Sequence, residues 1–102
     1  MSTPEQIFRD QFAAKYTDRS STITTGGTAQ AMMAENLGRE RGFVYNPNAS
    51  GSLWFNPLGG TAAANGAGSI EVVPGQLVPF DARNAISIIH ASTGAKFTAG
   101  EA

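Results

Sequence analysis

The chain has 102 residues, a net charge of −1 and 15% charged residues, which together predict a single domain with one modest core. This charge balance, without a polybasic block, disfavours a nucleic-acid-binding surface and a basic membrane patch. Cysteine is absent, which excludes disulfides, thiolate nucleophiles and cysteine metal sites.

The composition also bears on compartment and assembly. The opening residues, MSTPEQIFRDQF, lack the apolar core of a signal peptide, and the apolar runs of the chain are too short to span a bilayer. We therefore expect a chain made in the cytoplasm that has neither a membrane nor a nucleic acid as its partner. A weakly charged surface rich in glycine, alanine and threonine favours a homo-oligomer, although many monomers share this composition.

Residues 1–18 are predicted to form an N-terminal helix or arm. Thr3 can cap the helix, Pro4 suits its first position, and Gln6 completes a capping-box pattern. The stripe that follows either packs on the chain's own domain or docks on a neighbouring subunit, and the sequence leaves both alternatives open. Four large apolar residues at helical spacing form this candidate partner-contact stripe: Ile7, Phe8, Phe12 and Tyr16.

Residues 19–102 are predicted to form a β-sandwich domain. Runs of β-branched and aromatic residues alternate with turn formers such as Pro74–Gly75, Pro79 marks an edge strand, and Thr93–Gly94 is expected to close a hairpin. The pattern predicts an all-β fold, mainly an antiparallel β-sandwich or jelly-roll-like barrel of seven to eight short strands, with one N-terminal α-helix. The predicted strands lie at 21–25, 28–34, 43–45, 53–55, 69–73, 76–80, 85–91 and 96–99.

The stretch Gly42–Pro57, GFVYNPNASGSLWFNP, is predicted to be the hydrophobic centre of this domain. Its two β-forming runs each end in Asn-Pro and are separated by turn formers, which indicates the two arms of one hairpin. Because side chains alternate along a strand, the stretch has two faces. We expect Trp54 and Val44 to lie on the face that meets a partner. Residues of the other face are expected in the core: Phe43, Tyr45, Leu53 and Phe55.

The sequence offers little that predicts catalysis. His90 is the only histidine and follows an isoleucine-rich strand, so we interpret it as a structural imidazole, although folding could bring Glu71 or Asp81 beside it. The glycines of residues 58–68 lack the Gly-Lys-Ser/Thr ending of a phosphate-binding loop. We interpret the charged run 39–41 as a solvated loop, with an intersubunit ion pair as the alternative. No catalytic residue, cofactor or metal ligand is predicted.

Four segments of the chain resemble small virion proteins of tailed bacteriophages. TTGGTAQ comes first, and Asn36 and Arg39 then precede GFVYNPNASGSLWFNPLGGTA. GSIEVVPGQ and NAISIIHASTGAKFTA follow in the same order. These proteins commonly show a strand begun by arginine, an Asn-Pro turn, a Leu-Trp strand, a glycine-rich loop, a Pro-Gly turn and a closing Thr-Gly motif. The resemblance covers about residues 24–101 and consists of turn and strand motifs without catalytic residues.

The resemblance implies a non-enzymatic structural protein, most plainly a head decoration (cement) protein that resides in the virion. It also implies a partner, either the major capsid protein or another virion protein, and it fits a homo-oligomer because symmetry multiplies a modest contact. A tail, baseplate or fibre-associated attachment module is the alternative, and a host glycan stacked on exposed aromatic side chains would favour it. A host-directed small regulator is the third possibility.

Overall fold

The computed structural model describes residues 15–102. Within this range the chain forms nine strands and no helix, and no helix there could cross a membrane. The prediction of an all-β, antiparallel fold is confirmed for these residues. The strands are β1 Thr17–Asp18, β2 Ser21–Thr22, β3 Gln30–Met33, β4 Gly42–Tyr45, β5 Leu53–Asn56, β6 Ile70–Val72, β7 Leu77–Phe80, β8 Ile86–Ile89 and β9 Lys96–Glu101.

The strands form two antiparallel sheets. The five-stranded sheet has the order β1-β9-β4-β7, and β2 also pairs with β9, while the four-stranded sheet has the order β3-β8-β5-β6. Side chains of both sheets meet in one core, where the rings of Phe55 and Phe80 lie 5.5 Å apart between centroids. The two sheets therefore pack face to face around a shared interior, as in a sandwich.

The central stretch is not a hairpin, contrary to the sequence-based expectation. β4 pairs with β7 and β9 in the five-stranded sheet, whereas β5 pairs with β6 and β8 in the four-stranded sheet. The turn formers at 46–52 carry the chain from one sheet to the other. Thr93–Gly94 likewise joins β8 and β9, which lie in different sheets, so the expected hairpin there is also wrong. Local sequence marks where a strand ends but not which sheet the next strand joins.

The faces of β4 are also reversed relative to the prediction. Val44 is fully buried opposite Ala99 of β9 and Val78 of β7, so it belongs to the core and not to a partner surface. Phe43 and Tyr45 are half-buried on the outer side of the sheet. The hairpin assumption placed the bulkier aromatic side chains inside, but the register with both neighbouring strands turns the smaller valine inward.

The faces of β5 agree with the prediction. Leu53 and Phe55 are fully buried in the core, and Trp54 is half-buried on the outer side of the four-stranded sheet. Because Trp54 alternates with these two residues, it points away from the interior that they fill.

Two local predictions about turns and edges are confirmed. The turn at Pro74–Gly75 closes with a hydrogen bond from the Gln76 N–H to the Val73 carbonyl at 3.0 Å, and Gly75 has φ 81°. A positive φ at the third position is what a type II turn requires. β7, which contains Pro79, is an edge strand of the five-stranded sheet. An edge position tolerates proline because no further strand needs its missing N–H.

The N-terminal prediction is tested only at its last residues. Ile7, Phe8 and Phe12 lie outside the described range. Thr17 and Asp18 form β1 and pair with Glu101 and Gly100, so these two residues belong to the sheet rather than to a helix. The expected boundary between arm and sandwich after residue 18 therefore falls at the end of β1, where the sheet has already begun.

Candidate contact sites

The sandwich has two ends, which we name by their buried polar residues. The arginine end holds Arg39 and Glu101, together with the turns at 36–39, 56–58 and 81–84. The histidine end is opposite and holds Asn46 and His90. Strands β4 and β9 run in opposite directions between these two ends.

Arg39 is fully buried at the arginine end, where it was expected in a solvated loop. Its Nε donates to Glu101 Oε1 at 3.0 Å, and Nη2 donates to the Ala34 carbonyl at 2.8 Å. Its Nη1 donates to the carbonyls of Ala82 and Asn84, at 2.5 and 3.1 Å. A buried guanidinium is tolerated because each of these acceptors satisfies a donor that has left water. Arg39 thus joins three separate chain segments at one point.

Glu101 is the acceptor at the centre of this cluster. Its Oε1 also accepts from Asn36 Nδ2 at 2.9 Å, and its Oε2 accepts from Arg19 Nε at 2.7 Å. Burial by itself raises the pKa of Glu101, but the hydrogen bonds from Asn36, Arg19 and Arg39, with the positive charge of Arg39, outweigh it. The pKa of this carboxyl therefore lies below its ordinary value, and the group is ionised at neutral pH.

The arginine end presents two leucines to solvent. Leu37 and Leu58 are 72% and 71% exposed, more than any other large apolar side chain of the described residues. Leu37 lies in the turn just before Arg39. Leu58 follows β5, and its N–H donates to Asn56 Oδ1 at 2.9 Å. Both leucines therefore lie in turns within longer connections between strands.

Hydrogen bonds connect the two leucine-bearing turns. Arg39 donates to the Asn84 carbonyl, as described, and Asn84 Nδ2 donates to the Pro57 carbonyl at 3.1 Å. Asn36 also joins the cluster, because its N–H donates to the Arg83 carbonyl at 2.9 Å. The leucines are thus held on a hydrogen-bonded frame, and we call Leu37 and Leu58 the leucine pair.

A second candidate site lies on the outer side of the four-stranded sheet. The loop of residues 57–69 folds back over this sheet, where the Ala62 N–H donates to Ser87 Oγ at 2.7 Å and Ser87 Oγ donates to the Gly60 carbonyl at 3.0 Å. A cavity of about 400 Å³ opens beside the loop. We call it the tryptophan cavity. Its walls include Ser52, Trp54, Ala63, Ala64, Ile89 and His90.

The tryptophan cavity is mostly apolar with polar groups near it. Ser52 Oγ donates to Glu71 Oε2 at 2.7 Å, and Glu71 pairs directly with Trp54 across β5 and β6. A half-buried indole beside a hydroxyl and a carboxylate is an arrangement that can bind a small amphipathic ligand.

His90 is buried at the inner edge of this cavity. Its Nδ1 accepts from the Ser92 N–H at 3.0 Å, which places the proton of the neutral ring on Nε2. Nε2 is buried and has no hydrogen-bond partner among the described residues. Gly51 lies against the ring, since a Cβ there would be 2.7 Å from both Cε1 and Nε2. The predicted structural role fits the Ser92 contact, and the unpartnered Nε2 was not foreseen.

The structure separates the residues predicted to meet a partner. Tyr16 packs edge-on against Phe43, with ring centroids 5.4 Å apart. Trp54 lies on the other sheet, and Val44 is inside the core. Sequence reasoning missed Arg39, Leu37 and Leu58. For the two leucines, the sequence did contain a signal. Each is a large apolar residue inside a turn motif, Asn-Leu-Gly or Pro-Leu-Gly, where no core position is expected.

Within residues 15–102, no three His, Asp or Glu side chains gather as a metal site would require. Comparisons with family models, curated proteins and solved structures find no match to this chain.

Proposed function

We propose that this chain is a non-enzymatic structural protein of a bacteriophage virion, a decoration protein that binds the capsid surface and stabilises the head. The resemblance of its turn and strand motifs to small virion proteins supports the proposal, and so does the all-β fold. The partner is the major capsid protein or another virion protein, and a homo-oligomer repeats the contact by symmetry.

The leucine pair is the observation that carries the proposal. Two apolar side chains more than 70% exposed are held on turns that a buried ion pair connects, where a partner surface could cover them. Pre-ordered turns lose little conformational entropy on binding, so most of the free energy gained by burying them is kept. Full burial of one leucine contributes about 1.5–3 kcal/mol. A few such contacts, repeated by symmetry, would hold a protein on a large assembly.

The location of the protein tests the proposal. Mass spectrometry of purified virions is expected to find the chain in hundreds of copies, as a decoration protein requires. A dozen copies or fewer would instead indicate a tail component, and absence from the virion would overturn both structural functions.

Variants then test the leucine pair itself. We expect Leu37→Ser combined with Leu58→Ser to weaken binding to undecorated capsids by at least about tenfold, since two apolar anchors are lost. Leu77→Ser is the matched control, because Leu77 is also exposed (48%) but lies on β7, away from these turns. Equal binding by the double variant and the control would contradict the assignment of this surface.

The tryptophan cavity favours one alternative function, an attachment module of the tail or fibre that binds a host glycan. A sugar ring has an apolar face that stacks on an indole and hydroxyls that reach groups such as Ser52 and Glu71. Trp54 is the only tryptophan of the chain, so its fluorescence reports directly on this cavity. A saturable change on titration with host-surface oligosaccharides, abolished in Glu71→Ala, would favour attachment over decoration.

A further inference from the structure

One carboxylate lies beside the tryptophan cavity. From Gly42 to Phe80, Glu71 is the only charged residue of the chain. It is exposed, and no basic side chain of residues 15–102 pairs with it. Trp54 is its direct partner across β5 and β6, so the two side chains share the outer side of the four-stranded sheet. The cavity therefore lies in an uncharged region that carries a single negative charge.

Ser52 connects this carboxylate to the wall of the cavity. Its Oγ donates its hydroxyl proton to Glu71 Oε2 at 2.7 Å, and a hydroxyl has no second proton to donate. Toward the cavity, Ser52 can therefore only accept a hydrogen bond. The His90 ring also belongs to the wall, but its Nε2 is buried and presents no donor to a ligand. The polar side chains of the wall thus favour a ligand that donates.

The rest of the wall is apolar and includes an indole. Trp54 is half-buried, Ile89 is its partner on β8, and Ala63 and Ala64 come from the loop over this sheet. An indole attracts a cation to its ring face more strongly than the rings of tyrosine or phenylalanine do. The volume of about 400 Å³ lies within the range of small-molecule sites. Together these features match a cation that has an apolar body.

We infer that the tryptophan cavity binds a small organic cation, an ammonium group on a compact apolar body. The body lies against Ile89 and the loop alanines, and the ammonium group lies near the Trp54 indole and donates to Ser52 Oγ. An ammonium group only donates hydrogen bonds, so it matches side chains that only accept them. The inference goes beyond capsid decoration and does not depend on it. It also names a different ligand from the neutral glycan considered above for the same cavity.

A matched pair of ligands tests the inference on the native chain. Cyclohexylammonium and cyclohexanol have the same apolar body, and only the first is charged at neutral pH. Fluorescence of Trp54, the only tryptophan, follows both titrations. We expect the dissociation constant of cyclohexylammonium to be lower by about fivefold or more, from the cation–π and ion-pair contributions together. Equal affinities, no saturable change with either ligand, or saturation by a neutral oligosaccharide alone would overturn the inference.

Two carboxylate variants separate a local effect from an effect of net charge. Glu71→Gln keeps an oxygen that can accept from Ser52 but removes the charge. Glu35→Gln removes the same charge at an exposed position between β3 and β4. We expect only Glu71→Gln to reduce the affinity for cyclohexylammonium to that for cyclohexanol. An equal loss in both variants, or a loss in neither, would overturn the role of Glu71 in this site.

A lysine peptide distinguishes the source of the ammonium group. The peptide acetyl-Gly-Lys-Gly-amide carries the same charge on a narrow chain, which fills less of the cavity. We therefore expect it to bind more weakly than cyclohexylammonium in the same fluorescence titration. Tighter binding of the peptide would overturn the assignment to a free ligand, because it would show that a lysine side chain of a partner protein is the occupant.

Discussion

The two ends of the sandwich treat a buried nitrogen-rich side chain in opposite ways. At the arginine end, Arg39 is fully buried and makes four hydrogen bonds to acceptors from three segments, one of which is β9. At the histidine end, His90 is also buried, but only its Nδ1 has a partner and Nε2 has none among the described residues. Arg39 is therefore fixed by its polar contacts on every side, whereas the His90 ring is held through one nitrogen only.

The difference shows what a buried polar group does for a small domain. Removing one partner of a satisfied network leaves the remaining groups unpaired in a poorly solvated place, at a large cost. Replacing a group that already lacks a hydrogen-bond partner removes few favourable contacts. We therefore expect Arg39 to contribute more to stability than His90, and the arginine end to present the leucine pair in one conformation. His90 is expected to tolerate exchange.

The largest expected effect comes from Arg39→Met. The substitution keeps an apolar stem but removes the charge, leaving Glu101 with a weaker set of partners and three carbonyls without donors. We expect a loss of about 3–5 kcal/mol in the free energy of unfolding, the range for breaking a buried pair. Urea denaturation followed by circular dichroism measures it.

Arg19→Met is the matched control for that loss. Arg19 donates to the same carboxylate, but its side chain is 46% exposed and water can replace it. We expect a loss of about 0–1 kcal/mol. Equal effects of the two substitutions would mean that burial of Arg39 is not what makes the arginine end rigid.

Glu101→Gln is expected to show the next largest effect and a change in pH dependence. At neutral pH the loss of the charged acceptor should cost about 1.5–3 kcal/mol. Because the folded pKa of Glu101 is lowered, its contribution is fully present above the unfolded pKa of about 4.3. The contribution is lost as pH falls through the folded pKa.

Unfolding of the two proteins between pH 7 and pH 2 measures this pH dependence. Native protein should lose stability over the acid range more steeply than Glu101→Gln. Parallel pH profiles would show that the carboxylate is not linked to folding. Asp18, whose pKa is also lowered by hydrogen bonds from Ser20, is retained in both proteins and cancels in the comparison.

Gly51→Ala tests how much room the histidine end has. Gly51 has φ 82°, and a Cβ there would lie 2.7 Å from the His90 ring. A positive φ alone costs a non-glycine residue about 1–2 kcal/mol. Gly75 has φ 81° and no atom near an added Cβ. Gly75→Ala therefore measures the cost of the positive φ alone. We expect Gly51→Ala to be the more destabilising in thermal unfolding; equal values would mean that the ring moves freely.

His90→Leu is expected to have the smallest effect. The substitution removes the acceptor for the Ser92 N–H, but it also removes the unpartnered Nε2 donor. These changes act in opposite directions, so we expect a change within about 1 kcal/mol. Chemical denaturation measures it, and a loss as large as that of Arg39→Met would contradict the contrast between Arg39 and His90.

The sequence predicts local elements of this fold better than their partners. Turn formers and β-branched or aromatic runs located strands β2 to β9, and Pro74–Gly75 and Pro79 behave as their backbone preferences require. These features depend on a few adjacent residues. Pairing depends on residues far apart in sequence, which is why the Asn-Pro motifs at 46–47 and 56–57 were interpreted as arms of one hairpin. In the structure both asparagines accept a hydrogen bond from the N–H two residues later, Asn48 and Leu58 respectively.

The candidate sites were harder to predict for the same reason. Arg39 looks like part of a solvated charged run, and only β9 brings Glu101, 62 residues later in sequence, to it. The alternation along β5 was enough to place Trp54 outside the core. Alternation along β4 was not, because it defines two faces without saying which one is inside.

The pairing of β9 has a consequence for the order of events during synthesis. β9 contacts β1, β2 and β4, so the five-stranded sheet lacks its central partner until residues 96–101 have left the ribosome. Before then only β4 and β7 of that sheet can pair, and Arg39 has no Glu101 to neutralise it. Folding of this sheet is therefore expected to follow the emergence of residues 96–101, and a stalled nascent chain ending before Lys96 should remain sensitive to protease.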